Sequence, residues 1–208
     1  RFSKDHRIGL QMVQSSGDTT VDSNYNGSKP GDTHFSSARL NQATLFSDNT
    51  FGTWRSRLSL SQQSEHDTFS EYGSYEAAYG YTTQVQVLSW VNTLPIGENW
   101  LGTAGVEEQQ QHVKTESTDG TPPYDINRVA DAVFVGMEGC FGPLTVQLNL
   151  RNDKIGEARK DTGYLGLGYS LTDALKLTAS TSTAFNAPPL GYLFAPGFGN
   201  PTLRPETA

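Results

Sequence analysis

Apolar and polar residues alternate at every second position along most of this chain. In the run 144–151, leucine or valine alternates with threonine, glutamine, asparagine or arginine, and the runs 164–171 and 175–180 repeat the alternation. Side chains with a period of two lie on opposite faces of a β-strand. No segment shows helical periodicity over three turns, so the sequence predicts an all-β fold.

Nine runs of this kind are predicted as strands. Several of them match or exceed the ~9–11 residues with which a strand crosses a bilayer, whereas strands of globular proteins are usually ~5–6 residues long. The predicted strands cover residues 7–14, 36–47, 52–64, 79–94, 99–114, 126–138, 142–153, 160–171 and 174–185.

The connections between these runs alternate in length. Short connections are predicted at 48–50, 95–99, 139–142 and 172–174, and longer polar ones at 15–35, 65–78, 115–125, 152–159 and 186–208. Short turns at one end and long loops at the other are typical of bacterial outer-membrane barrels. The pattern therefore predicts an antiparallel, up-and-down transmembrane β-barrel.

Aromatic residues fall near both ends of the predicted strands. Trp54, Trp90 and Trp100 each lie within about six positions of a short turn, as expected of residues at a membrane interface. Five tyrosines cluster toward the long loops and are expected to form a second aromatic girdle, although aromatic residues also fill the ends of any β core. These tyrosines are Tyr72, Tyr75, Tyr79, Tyr81 and Tyr124.

The second face of the predicted sheet is polar. Such a face is the wet lumen of a large barrel or the exposed face of a soluble β-sandwich, and alternation alone does not separate the two. The residues assigned to this face are Arg55, Arg57, Glu107, Gln109, Gln147, Asn149, Arg151 and Lys176.

Composition excludes several functional classes. The net charge of −7 lacks the basic footprint that nucleic acid requires. A single cysteine, Cys140, excludes an internal disulfide and a multi-cysteine zinc site. The four histidines are scattered, and the adjacent carboxylates Glu107 and Glu108 lie on opposite faces of a strand. We therefore expect no enzymatic activity.

The last part of the chain, residues 186–206, is rich in proline and glycine. Because proline interrupts helices and central strands, it is expected to be a structured loop. Its sequence resembles a segment of the barrels of TonB-dependent outer-membrane receptors, with the cobalamin-receptor branch as the best match. The residues that carry the resemblance are Ala187, Pro188, Leu190, Gly199, Asn200, Pro201, Leu203, Pro205 and Glu206. The runs 25–32, 88–97, 104–107 and 144–153 resemble the same receptors in the expected order.

The resemblance implies a bacterial outer-membrane location and a 22-stranded barrel around an N-terminal plug. We therefore expect the whole chain, 1–208, to be an interior part of such a barrel without its plug. Its implied partners are outer-membrane lipid, TonB acting through the plug, and a large nutrient such as a corrinoid, a siderophore or a metal complex. Unpaired edge strands are expected to take up strands from elsewhere in the polypeptide or from another copy.

Two alternatives to the receptor remain open at this point. One is a passive outer-membrane porin, and the other is a soluble β-sandwich that serves as a binding module. A plug encoded upstream would separate a receptor from a porin, and folding without detergent would favour the sandwich.

The resemblance also implies candidate sites. Ligand contacts are expected from the outer loops, at Tyr72, Tyr75 and Tyr124. Calcium ligands are implied at Tyr25, Asn26 and Asp32, in a loop whose Asp18 and Asp22 add further oxygens. The alternative for this loop is an ordinary turn-rich segment. On the polar face, three arginines either favour an anionic ligand or balance neighbouring carboxylates; they are Arg55, Arg57 and Arg151.

Overall fold

The chain folds into one continuous antiparallel meander. In the computed structural model, which describes residues 3–22, 33–70, 77–117, 122–197 and 199–208, nine strands follow one another in sequence order in a single sheet. The prediction of an all-β, up-and-down arrangement is confirmed, and the sheet is open. The strands are β1 (His6–Asp22), β2 (Thr33–Phe51), β3 (Trp54–Ser70), β4 (Ala77–Ile96), β5 (Trp100–Ser117), β6 (Asp125–Phe141), β7 (Leu144–Ile155), β8 (Ala158–Thr172) and β9 (Leu175–Ser182).

The strands run further toward the long loops than the sequence predicted. Residues 15–22, 65–70 and 115–117 were assigned to loops but belong to β1, β3 and β5. The prediction was wrong because these stretches are polar on both faces. Their backbone groups nevertheless continue the ladder with the neighbouring strand, and period-two alternation appears only where one face needs apolar residues.

One connection expected to be long is a tight turn. The prediction of a loop at 152–159 was wrong, because only residues 156 and 157 separate β7 from β8. Gly156 has φ +58°, a conformation that glycine adopts without a steric penalty. We name the end of the sheet with the connections 52–53, 97–99, 142–143 and 173–174 the turn end, and the opposite end the loop end.

The register separates apolar from polar side chains. Residues directly opposite each other in an antiparallel pair share a face, and Leu45, Leu60 and Leu88 are aligned across β2, β3 and β4. The face with these leucines is the apolar face, and the opposite one is the polar face. All eight residues predicted for the polar face lie on it: Arg55, Arg57, Glu107, Gln109, Gln147, Asn149, Arg151 and Lys176.

Within the described ranges, no part of the chain covers the apolar face. Met12 and Leu150 are 73% and 64% exposed, and among the described residues only Val113, Ala132, Leu190 and Ala195 are buried hydrophobic residues. A soluble β-sandwich would bury this face against a second sheet. Since the described chain forms no such core, a hydrocarbon environment is the one that suits the apolar face.

Aromatic residues mark the two ends differently. At the turn end, Trp54 contacts Phe51 and Trp100 contacts Phe141, each with ring centroids 5.1 Å apart, and all four lie on the apolar face. At the loop end, Tyr79 and Tyr81 share the face of Arg55 and Arg57. These two tyrosines therefore do not form the second lipid-facing girdle that the sequence suggested.

The C-terminal segment contains a short helix. Strands β10 (Phe185–Asn186) and β11 (Glu206–Thr207) pair with each other, and α1 (Leu190–Phe194) lies between them. The expectation that proline excludes a helix here was wrong, because Pro189 precedes the first turn, where no N–H is required. Pro196 follows Ala195, whose extended backbone ends the helix. Among the described residues, no helix is long and apolar enough to cross a membrane.

We expect the isolated chain to associate through its edges. In the described part of the chain, β1 pairs only with β2 and β9 only with β8, which leaves ladder N–H and C=O groups open. Light scattering of the chain folded in detergent should give a mass above that of one copy. The protein expressed from its native gene, measured in the same detergent, is the control and should be monomeric. A monodisperse monomer of the isolated chain would contradict this expectation.

Candidate functional site

An aromatic cluster lines the polar face at the loop end. Phe69 stacks on Tyr79 with ring centroids 5.1 Å apart, and Tyr81 meets both rings edge-on at 6.0 and 5.9 Å. The register positions that bring them together are Phe69 opposite Tyr79 and Asp67 opposite Tyr81. Flat rings with a polar tip suit contact with a large, partly apolar solute.

Tyr124 extends this cluster toward β6. Its carbonyl oxygen accepts a hydrogen bond from the Thr115 N–H at 3.0 Å, and its own N–H donates to Thr115 Oγ1 at 2.9 Å. Burial, followed by the neighbouring Tyr81, raises the pKa of the Tyr124 phenol above its usual range. The hydroxyl group therefore remains protonated at neutral pH, as a donor and an acceptor.

The C-terminal segment is tied to the polar face through Arg128. The Arg128 Nη1 donates to the Pro188 carbonyl at 2.6 Å, and Nη2 donates to Gln111 Oε1 at 2.7 Å. A Cβ placed on Gly191 would lie 3.4 Å from the Tyr124 hydroxyl, so the start of α1 sits beside Tyr124. The segment is therefore part of the loop-end surface of the polar face.

Residues of the C-terminal motif make the hydrogen bonds that define the backbone conformation of this segment. Gly199 donates its N–H to the Ala195 carbonyl at 2.7 Å, and a Cβ on Gly199 would lie 2.6 Å from that oxygen. Asn200 Oδ1 accepts from the Thr202 N–H at 3.0 Å, which is an Asx turn. The motif thus specifies the backbone path of the loop.

The folded segment leaves apolar side chains exposed. Leu190 is only 4% exposed, whereas Tyr192 and Phe194 on the same helix are 64% and 40% exposed, and Leu203 is 43% exposed. These three exposed side chains belong to one folded segment at the loop end. Sequence reasoning missed these residues and Arg128, although Tyr192 and Phe194 stand inside the recognised motif and were visible as aromatic residues in a predicted outer loop.

Arg151 on the polar face is paired with two carboxylates. Arg151 donates from Nη2 to Glu107 and from Nε to Asp153, both at 2.9 Å, and lies 5.7 Å from the Phe134 ring centroid. The charge of Arg151 is thus balanced locally.

A second group repeats the arrangement near the turn end. Asp48 accepts from Arg7 and lies 3.2 Å from Arg57 Nη1. The two guanidinium groups lie 5.2 and 4.4 Å from the centroid of Phe46. In both groups an arginine lies over a phenylalanine and beside a carboxylate, which favours a structural role within the wall.

Several predicted site residues lie outside the described residues. These are Tyr72 and Tyr75 among the ligand contacts, and Tyr25, Asn26 and Asp32 among the calcium ligands, so both assignments stay predictions for them. Asp18 belongs to β1, opposite Ser37, and not to a loop. In the part of the chain that the structure describes, no three His, Cys, Asp or Glu side chains are grouped as a metal site would require.

The fold and this surface define a class of protein before any comparison. The sheet has an uncovered apolar face, a polar face with paired charges, and a group of aromatic rings at the loop end. These features are typical of the wall of a transmembrane β-barrel. The family model described as TonB dependent receptor-like, beta-barrel, matches residues 2–208. The chain therefore belongs to the TonB-dependent receptor β-barrel family, whose members lie in the bacterial outer membrane.

Curated relatives point to the same family. The chain is similar to the vitamin B12 transporter BtuB of Vibrio vulnificus, with 30% identity over 122 residues, which is 58% of this chain and 20% of that protein. It is 25% identical over 159 residues to the vitamin B12 transporter BtuB of Vibrio cholerae, which is 74% of this chain and 25% of the relative. The chain thus spans a fifth to a quarter of these relatives.

Solved structures share the fold. The ferric enterobactin receptor PfeA of Pseudomonas aeruginosa superposes with a TM-score of 0.75 at 14% identity, over 93% of this chain and 33% of that one. The siderophore receptor PirA of Acinetobacter baumannii gives a TM-score of 0.71 at 13% identity, over 98% of this chain and 40% of that one.

Replacing Gly199 with alanine should loosen the C-terminal segment. The added Cβ meets backbone atoms of Ala195, and overpacking of this kind costs about 1–3 kcal/mol. Hydrogen–deuterium exchange of residues 187–205 should become about tenfold faster, while the thermal transition of the barrel stays unchanged. Gly17→Ala on β1 is the control, because nothing lies within 4 Å of its Cβ position. Equal exchange in the two variants would contradict the role of Gly199.

Replacing Arg128 with lysine should detach the segment although it preserves the charge. A lysine ammonium lacks the planar fork that donates to both Pro188 and Gln111, and loss of one charged hydrogen bond costs about 1.5–3 kcal/mol. Limited proteolysis within 187–205 should therefore be faster than in the wild type. The matched control is Arg159→Lys at an exposed position of β8. An unchanged cleavage rate in Arg128→Lys would argue against the tie.

Proposed function

We propose that this chain is part of the wall and mouth of an outer-membrane receptor that imports a large, scarce solute with energy supplied through TonB. The observation that carries the proposal is the aromatic and apolar surface at the loop end of the polar face. There, the rings of Tyr81 and Tyr124 are neighbours, and helix α1, whose Gly191 lies beside the Tyr124 hydroxyl, carries the exposed Tyr192.

A corrinoid is the solute class that the comparisons favour. Both sequence relatives are vitamin B12 transporters, whereas the receptors for ferric siderophores match in fold at low identity. A corrinoid has a broad, largely apolar ring with amide edges, which suits aromatic faces and neutral hydroxyl groups. Arg7, Arg57 and Arg151 on the polar face are paired with carboxylates, which favours passage of a solute without a strong net charge.

The proposed role is binding and passage, without chemical conversion of the solute. In the receptor, TonB would act on a plug that lies outside this chain, and the nine strands would supply part of the enclosing wall. A passive porin is the weaker candidate, because the C-terminal segment is fixed by Arg128 and exposes Tyr192, Phe194 and Leu203. A porin lumen offers water and charge to small polar solutes.

Uptake of labelled cyanocobalamin tests the proposal. The receptor gene should restore uptake to a bacterial strain that lacks its own cobalamin receptor, and deletion of TonB should abolish it. Tyr192→Ala should weaken cyanocobalamin binding by about thirtyfold, which is the loss expected for an aromatic hot spot.

Tyr192→Phe serves as the matched control, because it preserves the ring and removes only the hydroxyl group. Its affinity should stay within about threefold of the wild type. Ferric enterobactin is offered in a parallel assay. Uptake of that complex alone would replace the corrinoid by a siderophore, and uptake that persists without TonB would favour the porin.

A further inference from the structure

A groove with a volume of about 630 Å³ crosses the apolar face near the turn end. Its floor is β5 at Ala104, which carries a small side chain, while the Ile96 side chain lies over Gly102, 2.6 Å from where a Cβ of that glycine would stand. Gly102 lies opposite Leu94 and Met137, so large side chains flank a small one on both sides. The walls include Trp54, Trp90, Ile96 and Met137.

Hydrogen bonds hold two walls of the groove in place. The Trp54 indole Nε1 donates to Asn92 Oδ1 at 3.0 Å, and the Trp90 indole Nε1 donates to Ser56 Oγ at 2.9 Å. Both contacts cross from β3 to β4. Because the indoles are fixed by partners within the sheet, the groove is formed before any ligand enters, and a ligand would not have to order it.

Asn92 contributes polar donors to the groove. An indole N–H can only donate, so the atom of Asn92 that accepts from Trp54 is its oxygen, and its Nδ2 carries two N–H donors. In the described part of the chain, the bond from Trp54 is the only hydrogen bond that the Asn92 side chain makes. Amide donors beside hydrocarbon are costly unless an acceptor reaches them.

We propose that the groove binds one acyl chain of a glycerophospholipid from the leaflet at the turn end, with an ester carbonyl accepting a hydrogen bond from Asn92 Nδ2. The lining is apolar, as an acyl chain requires. The groove continues the uncovered apolar face, which is immersed in lipid. Asn92 lies four residues from the end of β4 (Ala77–Ile96), and Trp54 begins β3, which places the amide near the interface where tryptophan and ester groups meet.

The proposal is tested by native mass spectrometry of the receptor from its native gene, purified in detergent and titrated with a dioleoyl phosphatidylcholine. The wild type should show one saturable lipid adduct. Ala104→Leu fills the floor and should lower the occupancy at least tenfold. Ala179→Leu adds the same atoms on β9, away from the groove, and should leave the occupancy unchanged. A difference in electrophoretic migration between heated and unheated samples checks that each variant is folded.

The diether analogue of the same phosphatidylcholine tests the hydrogen bond. It lacks the carbonyl oxygens and should bind the wild type about fivefold more weakly, which is the effect of one hydrogen bond. Asn92→Ala should bind both lipids equally, at or below the diether level of the wild type because Trp54 also loses its acceptor, and this variant adds no bulk that could prevent folding. Equal adduct distributions for the wild type and Asn92→Ala with both lipids, or for Ala104→Leu and Ala179→Leu, would overturn the proposal.

Discussion

The inter-strand hydrogen-bond ladder is the interaction on which the rest of the molecule depends. Every strand from β2 to β8 has a paired neighbour on each side, so the backbone N–H and C=O groups of its paired stretches are satisfied without water. In hydrocarbon an unsatisfied backbone group costs several kcal/mol, and the ladder is what allows apolar side chains to face lipid. It also fixes the register, and a slip by one residue would exchange the apolar and polar faces.

The sequence predicted the strands correctly where they are amphipathic and failed to predict them where they are not. In β7, and in β8 up to the register shift after Ser170, the alternation gave the correct face, because lipid on one side demands apolar side chains. In the loop-end parts of β1, β3 and β5, water lies on both sides and imposes no pattern. The two-residue turn at 156–157 was missed because its polar neighbours looked like a loop.

The site was predictable only in part, since it is assembled by register and by a long-range contact. Tyr79 and Tyr81 were placed at the correct end, but their face depended on the pairing of β3 with β4. Arg128 lies 60 positions before Pro188 in the chain, and sequence periodicity does not predict a contact over that separation. The motif residues Gly199 and Asn200 identified the family, and the structure explains them as determinants of the loop backbone.

The length of the strands has a consequence for where a solute is first met. Strand β4 contains 20 residues, which at ~3.3 Å per residue reach roughly 65 Å, about twice the ~30 Å thickness of the hydrocarbon core. Even with the tilt usual in barrels, the loop-end rim with Tyr79 and Tyr81 extends well beyond the membrane surface. Molecules diffusing past the cell would meet that rim before the lipid, and so would antibodies or phage.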